Sequence, residues 1–160
     1  MMLLVTGTRY ADVSHGWFVY KTIAALIAED DPGPHELYVG DAKGVDDLAA
    51  RAFRNRAGWT VTVFEARWEE CAANCPPGTD DNPHRQRHRG DRDEYCPLAG
   101  TRRNRAMVEA YRAAGGVLVL PFPAANLPSR GTRGCVGDAR RAGLTVLDEI
   151  PLEVSRRGGK

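Results

Sequence analysis

With 160 residues, 42% of them apolar, and a net charge of +1 from 22 basic and 21 acidic side chains, the sequence is that of one globular domain with a sizeable core. The near-balance of charge argues against general nucleic-acid binding or a membrane-surface role. The apolar start, residues 1–5, is too short for a signal peptide or a membrane span, so a cytoplasmic protein is expected, with its four cysteines as thiols or metal ligands rather than disulfides.

Residues 2–6 are nearly all apolar, as in a strand buried on both faces of a parallel sheet. The strand stops at Gly7-Thr8-Arg9, which is either a tight turn with a surface arginine or a turn that holds an anionic group. Val19, Ile23, Leu26 and Ile27 mark an amphipathic helix, which residues 30–34 should end. A second strand, 36–39, runs into Gly40-Asp41-Ala42-Lys43-Gly44-Val45-Asp46, and Val45, Leu48, Ala49, Ala52 and Phe53 then form a helical stripe. Strand, glycine turn and helix resemble a dinucleotide-binding turn without matching G-x-G-x-x-G. Gly40 and Gly44 permit close backbone approach. Asp46 falls in the first helical turn, where the dipole favours a carboxylate. It either stabilises the helix or binds ribose hydroxyls and polarises a reacting group. A third strand at 60–64 leads into Glu65-Ala66-Arg67-Trp68, where Trp68 stacks on a flat ring or packs as core or lid.

Between residues 69 and 99 the composition shifts to Cys, His, Pro, Arg and Asp without helical or strand period. A stretch this long needs a stabilising device of its own or is a mobile basic loop. Cys71, Cys75, His84, His88 and Cys96 offer five candidates for a structural zinc: the three cysteines with either His84 or His88. Thr101 is the expected N-cap of the next helix, with Met107, Ala110, Tyr111 and Ala114 as its stripe. Arg102, Arg103 and Arg105 in a first turn oppose the helix dipole, a cost that makes sense if Arg102 or Arg103 grips a phosphate with its planar fork.

A fourth strand, 116–120, is followed by a proline-rich loop and by Ser129-Arg130-Gly131-Thr132, which opens a helix carrying Cys135, Val136, Ala139 and Ala142. Free N–H groups there suit a phosphate, Gly131 allows close approach, and the hydroxyls of Ser129 and Thr132 can donate; an ordinary Ser/Thr cap is the alternative. A fifth strand at 144–147 closes the pattern, and residues 151–160 form a basic, frayed tail. Five strands alternating with four helices predict an α/β domain over residues 1–150: an open, mostly parallel sheet with helices on both faces and a Cys/His-rich insertion loop at 69–99. The loops after Gly7, Gly40, Glu65 and Pro121 would share one sheet edge, where such folds bind ligands.

Taken together, Gly7-Thr8-Arg9, the turn from Gly40 to Asp46, Ala66-Arg67-Trp68, the stretch from Ala99 and Gly100 through Arg103-Asn104 to Met107, and Ser129-Arg130-Gly131-Thr132 resemble the SLOG superfamily of Rossmann-like domains, in particular its YpsA-related (YspA-like) branch. The resemblance implies a nucleotide or nucleotide-derived ligand, such as an NAD or ADP-ribose derivative. It also implies a sensor role in conflict between phages and bacteria, and assembly into homo-oligomers. Gly7, Thr8, Arg9, Gly40, Asp41, Ala42, Gly44, Asp46, Trp68, Arg102, Arg103, Asn104, Ser129, Gly131 and Thr132 are the implied binding residues. Related phosphoribohydrolases cleave a base from a nucleoside monophosphate with a glutamate where this sequence has Cys135, so an N-glycoside hydrolase or deoxyribosyltransferase here would need Asp46 or Glu65 as its carboxylate. A third expectation is a zinc-stabilised interaction protein that binds nucleic acid or a partner through Arg85, Arg87, Arg89 and Arg92.

Overall fold

Leu3 to Thr6 are all buried in β1 (Met2–Gly7), the middle strand of the sheet. A strand covered on both faces loses the polar–apolar alternation, which explains the unbroken apolar run. The structure, a computed structural model, describes residues 1–28, 31–72 and 96–155. Within it β2 (His35–Gly40) and β4 (Leu118–Phe122) flank β1. β3 (Trp59–Phe64) lies outside β2, and β5 (Thr145–Val146) lies outside β4. Every pairing is parallel, giving a Rossmann-like sheet in the order β3-β2-β1-β4-β5, as the alternation of elements predicts.

α1 (Gly16–Ala24), which follows a single 3-10 turn at Val13–His15, and α2 (Val45–Phe53) bury Val19, Ile23, Ala49 and Phe53 against Leu3, Val5, Leu37 and Val39. The other face is covered by α3 (Ala99–Ala113) and α4 (Arg130–Arg141), which pack Met107, Val108, Tyr111, Cys135 and Ala139 on Leu4, Tyr38 and Val119. The Tyr111 hydroxyl donates to Leu118 O at 2.7 Å and accepts from Leu118 N at 3.0 Å, fixing α3 to the start of β4. The chain winds outward from β1 to β3, then crosses back to β4. Its direction therefore reverses between β1 and β4, the place where open α/β sheets leave a crevice.

Several boundaries differ from expectation, four of them with consequences for packing. α1 ends at Ala24, because Leu26 and Ile27 turn off through bonds to Ile23 O and Ala24 O, three residues back. α3 starts at Ala99 with Leu98 as its cap, so Thr101 is inside the helix and Arg102 and Arg103 lie beyond its first turn. β4 extends through Pro121 and Phe122; the missing proline N–H is tolerated because β5 pairs only with Leu118 and Val119. The expected frayed tail is packed as far as Val154. Leu147, Ile150 and Leu152 donate to Val119 O, Pro121 O and Pro123 O, and the side chains of Leu152 and Val154 are buried.

At the foot of the insertion, Cys96 N–H donates to Trp68 O at 2.7 Å, and Ala66, Cys96 and Ala99 form a small core with Trp68, Cys71, Ala72 and Leu98. Cys75, His84, His88 and the four loop arginines lie outside the described residues, as do residues 156–160. Among the described residues no helix is long and apolar enough to cross a membrane.

Candidate functional site

Parallel pairing places the ends of β1, β2, β3 and β4, at Gly7, Gly40, Phe64 and Phe122, on one edge of the sheet. Thr8 holds that edge together. Its N–H donates to Phe122 O at 2.8 Å, its carbonyl accepts from Val45 N at 3.2 Å, and its hydroxyl accepts from Tyr10 N. It is buried and acts as a staple between β1, β4 and α2.

Above Gly40 two helices from opposite faces meet. Asp46, from the first turn of α2, and Arg103, from α3, are both buried, and Arg103 Nη1 lies 3.6 Å from Asp46 Oδ2 and 3.1 Å from Asp41 Oδ1. A Cβ built on Gly40 would coincide with the Arg103 guanidinium and lie 2.6 Å from Asp46 Oδ2. Only glycine lets the cation cross the strand end. The arginine is shared, its Nε has no partner, and Asp46 Oδ1 makes no hydrogen bond. Burial therefore outweighs the ion pair: it pushes the Asp46 carboxyl up to about 7, against a smaller opposing pull from Arg103 and from the amides of Gly7 and Gly40. Cys135 lies near this cluster with no exposure, and burial raises its thiol to about 12 despite a hydrogen bond from Thr6. A protonated, enclosed thiol cannot do the work of a carboxylate.

One step further along the edge is the start of α4. Ser129 precedes the helix but does not cap it, because its hydroxyl oxygen accepts from Ala124 N at 2.7 Å instead. The first helical bond runs from Arg133 N to Ser129 O, so the amides of Arg130, Gly131 and Thr132 have no partner among the described residues. Gly131 is exposed, with nothing within 4 Å of a Cβ position, and Asn104 of α3 donates to its carbonyl at 3.3 Å. Thr132 is 3% exposed and its Oγ1 has no hydrogen-bond partner.

No family model matches the chain. It is 30% identical to the Gene 61 protein of Mycobacterium phage D29 over 149 residues, which cover 91% of this chain and 94% of the phage protein. The chain belongs to the family of that phage protein. In this member of the Gene 61 protein family the remaining expected residues divide into two groups. Arg9 and Gly44 border an open groove of about 570 Å³ on the α1–α2 side, and Ala42 is half-buried in the turn beside it.

Trp68 and Arg102 face the insertion instead. The Trp68 ring packs 3.4 Å from the Cβ position of Gly100, and Arg102 donates to Cys96 Sγ at 3.2 Å and to Glu70 O. Glu65 is exposed beyond β3, the outermost strand. Cys71 and Cys96 share the foot of the insertion, but among the described residues no three His, Cys, Asp or Glu side chains converge on a metal position. Sequence reasoning missed Lys43 and Arg51, which line the groove. Lys43 stands inside a quoted motif, next to Gly44, and Arg51 shares the polar side of the α2 stripe with Asp47, so both signals were present.

Proposed function

We propose that the protein binds a nucleotide or nucleotide-derived ligand, of the NAD or ADP-ribose kind, at the C-terminal edge of its sheet, with a phosphate at the start of α4. The observation that carries this reading is the uncapped first turn of α4. Three amides lack partners, Thr132 Oγ1 is buried and unbonded, and Gly131 leaves the approach open. Asn104 steadies the turn, and the Asp46–Arg103 cluster lies in the adjoining part of the edge. The five SLOG-like motifs support the same ligand class, and kinship with a phage protein is consistent with a cytoplasmic sensor in phage–bacterium conflict. Isothermal titration with AMP, NAD and ADP-ribose tests the reading: saturable heat is expected, weakened by Thr132→Val. Absence of heat with all three at millimolar ligand would overturn it.

Asp46 favours a second reading. A buried carboxyl with a pKa near neutrality suits general-acid or nucleophilic work on an N-glycosidic bond. Chromatography after incubation with nucleoside monophosphates should then show free base, lost in Asp46→Asn; intact nucleotide rejects it. The proposed structural zinc rests on Cys71 and Cys96, which share one small core, with Arg102 donating to the Cys96 sulfur. Elemental analysis of protein purified without chelator should find about one zinc per chain, as for a closed four-ligand site. A metal-free, folded protein would remove the idea.

A further inference from the structure

α1 is apolar on its outer side as well as its inner one. Val19 and Ile23 enter the core, yet Trp17 and Phe18 of the same helix are 70% and 49% exposed, and Val13 just before it is 87% exposed. Of the five large apolar side chains exposed among the described residues, four fall within residues 13–26. Lys21 is the one charged residue of α1. A helix on the outside of a globular domain ordinarily turns polar residues outward, so an apolar outer side marks a surface that a partner covers. The groove of about 570 Å³ adjoins it: Val13 and Gly16 stand on its α1 wall, Leu48 and Ala52 on its α2 wall. A Cβ on Gly16 would already touch Leu48 Cδ2 at 3.5 Å, so a longer side chain there would fill the groove.

The same side of the molecule is basic, in a chain whose total charge is only +1. Residues 9–28 and 43–56 carry six exposed cations, Arg9, Lys21, Lys43, Arg51, Arg54 and Arg56, and besides the buried Asp46 their acids are Asp12 and Asp47 alone. Both acids are engaged within the protein. Asp47 Oδ1 accepts from Arg51 Nε at 2.8 Å, and Asp12 Oδ1 accepts from Ser14 and meets His15 Nδ1 at 2.9 Å. Arg9, Lys21 and Lys43 enter no ion pair among the described residues. The missing partner therefore brings negative charge together with an apolar group. Nucleic acid brings the charge but needs free ring faces on which to stack its bases. The groove lining holds no aromatic residue, and Trp17 already packs on Tyr20 at 5.3 Å with the Lys21 ammonium 5.6 Å from its ring. A second copy docked through the same surface would set cations against cations. An acidic polypeptide with an apolar side chain meets both demands.

We propose that the outer side of α1 and the adjoining groove form a docking site for an acidic segment of another protein. An apolar side chain of that segment enters the groove between Val13 and Leu48, its carboxylates meet Lys21 and Lys43, and Trp17 supplies the large anchoring contact at the rim. The site is separate from the start of α4 and does not depend on the nucleotide reading.

The test selects binders of the full chain from a displayed library of random linear peptides. The consensus peptide, labelled with fluorescein, is then titrated by anisotropy against wild type, Val13→Asp, Trp17→Ser, Lys43→Glu and Thr132→Val, each first shown to be folded by circular dichroism. Val13, Trp17 and Lys43 are exposed, so their replacement should leave the fold intact. The selected peptides should be rich in Asp and Glu around a Leu, Ile, Met or Phe. Trp17→Ser and Val13→Asp should each weaken the consensus at least about tenfold. Lys43→Glu should weaken it at low ionic strength and much less in high salt. Thr132→Val should leave it unchanged. No enrichment, enrichment of neutral or basic peptides, or binding that survives both Trp17→Ser and Val13→Asp overturns the proposal. So does loss of binding in Thr132→Val, which would move the peptide to the α4 start. A single-stranded oligonucleotide that displaces the consensus peptide at lower concentration than unlabelled peptide does would assign the surface to nucleic acid instead. A wild-type dimer in sedimentation that Trp17→Ser returns to monomer would assign it to a second copy.

Discussion

Replacing Asp46 with asparagine should make the protein more stable at alkaline pH, not less. In the folded chain burial holds this carboxyl near 7, whereas its ordinary value is 3.8. The folded state therefore binds the proton more tightly than the unfolded one across that interval. The associated stability is fully present below pH 3.8 and is lost as pH rises through about 7. At ~1.4 kcal/mol per pH unit the whole interval amounts to about 4 kcal/mol, of which about 3 kcal/mol accrues between pH 5 and pH 8. Asparagine keeps the shape of the neutral acid and cannot ionise, and Arg103 retains Asp41 at 3.1 Å. Urea unfolding followed by circular dichroism at pH 5, 6, 7 and 8 should show the Asp46→Asn advantage growing steadily. Parallel wild-type and mutant profiles, or a wild type that gains on the mutant as pH rises, would mean that the Arg103 ion pair outweighs burial. The carboxylate would then be an ordinary structural anion and the case for its chemistry would be lost.

Three further outcomes follow from the same geometry. Gly40→Ala should expel the Arg103 guanidinium and cost about 3–5 kcal/mol, as for a buried ion pair broken on one side, and combining it with Arg103→Met should add little. Ser129→Ala should cost about 1–3 kcal/mol in the same urea assay, because the buried Ala124 N–H loses its acceptor. The His15 imidazole is raised above 6.5, first by its hydrogen bond to the Glu153 carbonyl and then by Asp12. The melting-temperature gap between wild type and His15→Ala should accordingly be widest below pH 6.5 and shrink as pH climbs through the folded-state value.

Much of the fold could be read from periodicity. The run around Leu3–Leu4–Val5 and the stripe of Ala49 and Phe53 each have a single arrangement that buries them, and the order of elements then fixes a parallel sheet. Ends were harder. Nothing in Leu26 or Ile27 says that the backbone has already left the helix, since an apolar residue suits a turn packed on the core as well as another helical turn. The α3 arginines looked like a costly first turn because Thr101 resembles a cap. The helix in fact begins three residues earlier without any side-chain cap, which moves Arg103 to where it can reach inward over Gly40. The glycines and charged residues of the site were all visible in the chain. Which carboxylate would be enclosed, which arginine would turn inward and which would turn to the insertion depended on the distance between α2 and α3, and no local pattern carries that. Ser129 shows the same limit: a cap by sequence, it is diverted to Ala124 by a loop closure five residues long.

The segment after β5 bears on how the molecule should be handled. Backbone groups of Leu147, Ile150 and Leu152 occupy carbonyls along the outer rim of β4, which the two-residue β5 is too short to shield, and Asn126 clasps Val154 through bonds of 2.8 and 3.2 Å. Trimming the chain before Ile150 would bare a hydrophobic strand to its neighbours in solution, inviting clumping through sheet extension. A fluorophore or affinity handle is better joined after Ser155, beyond the clasp on Val154.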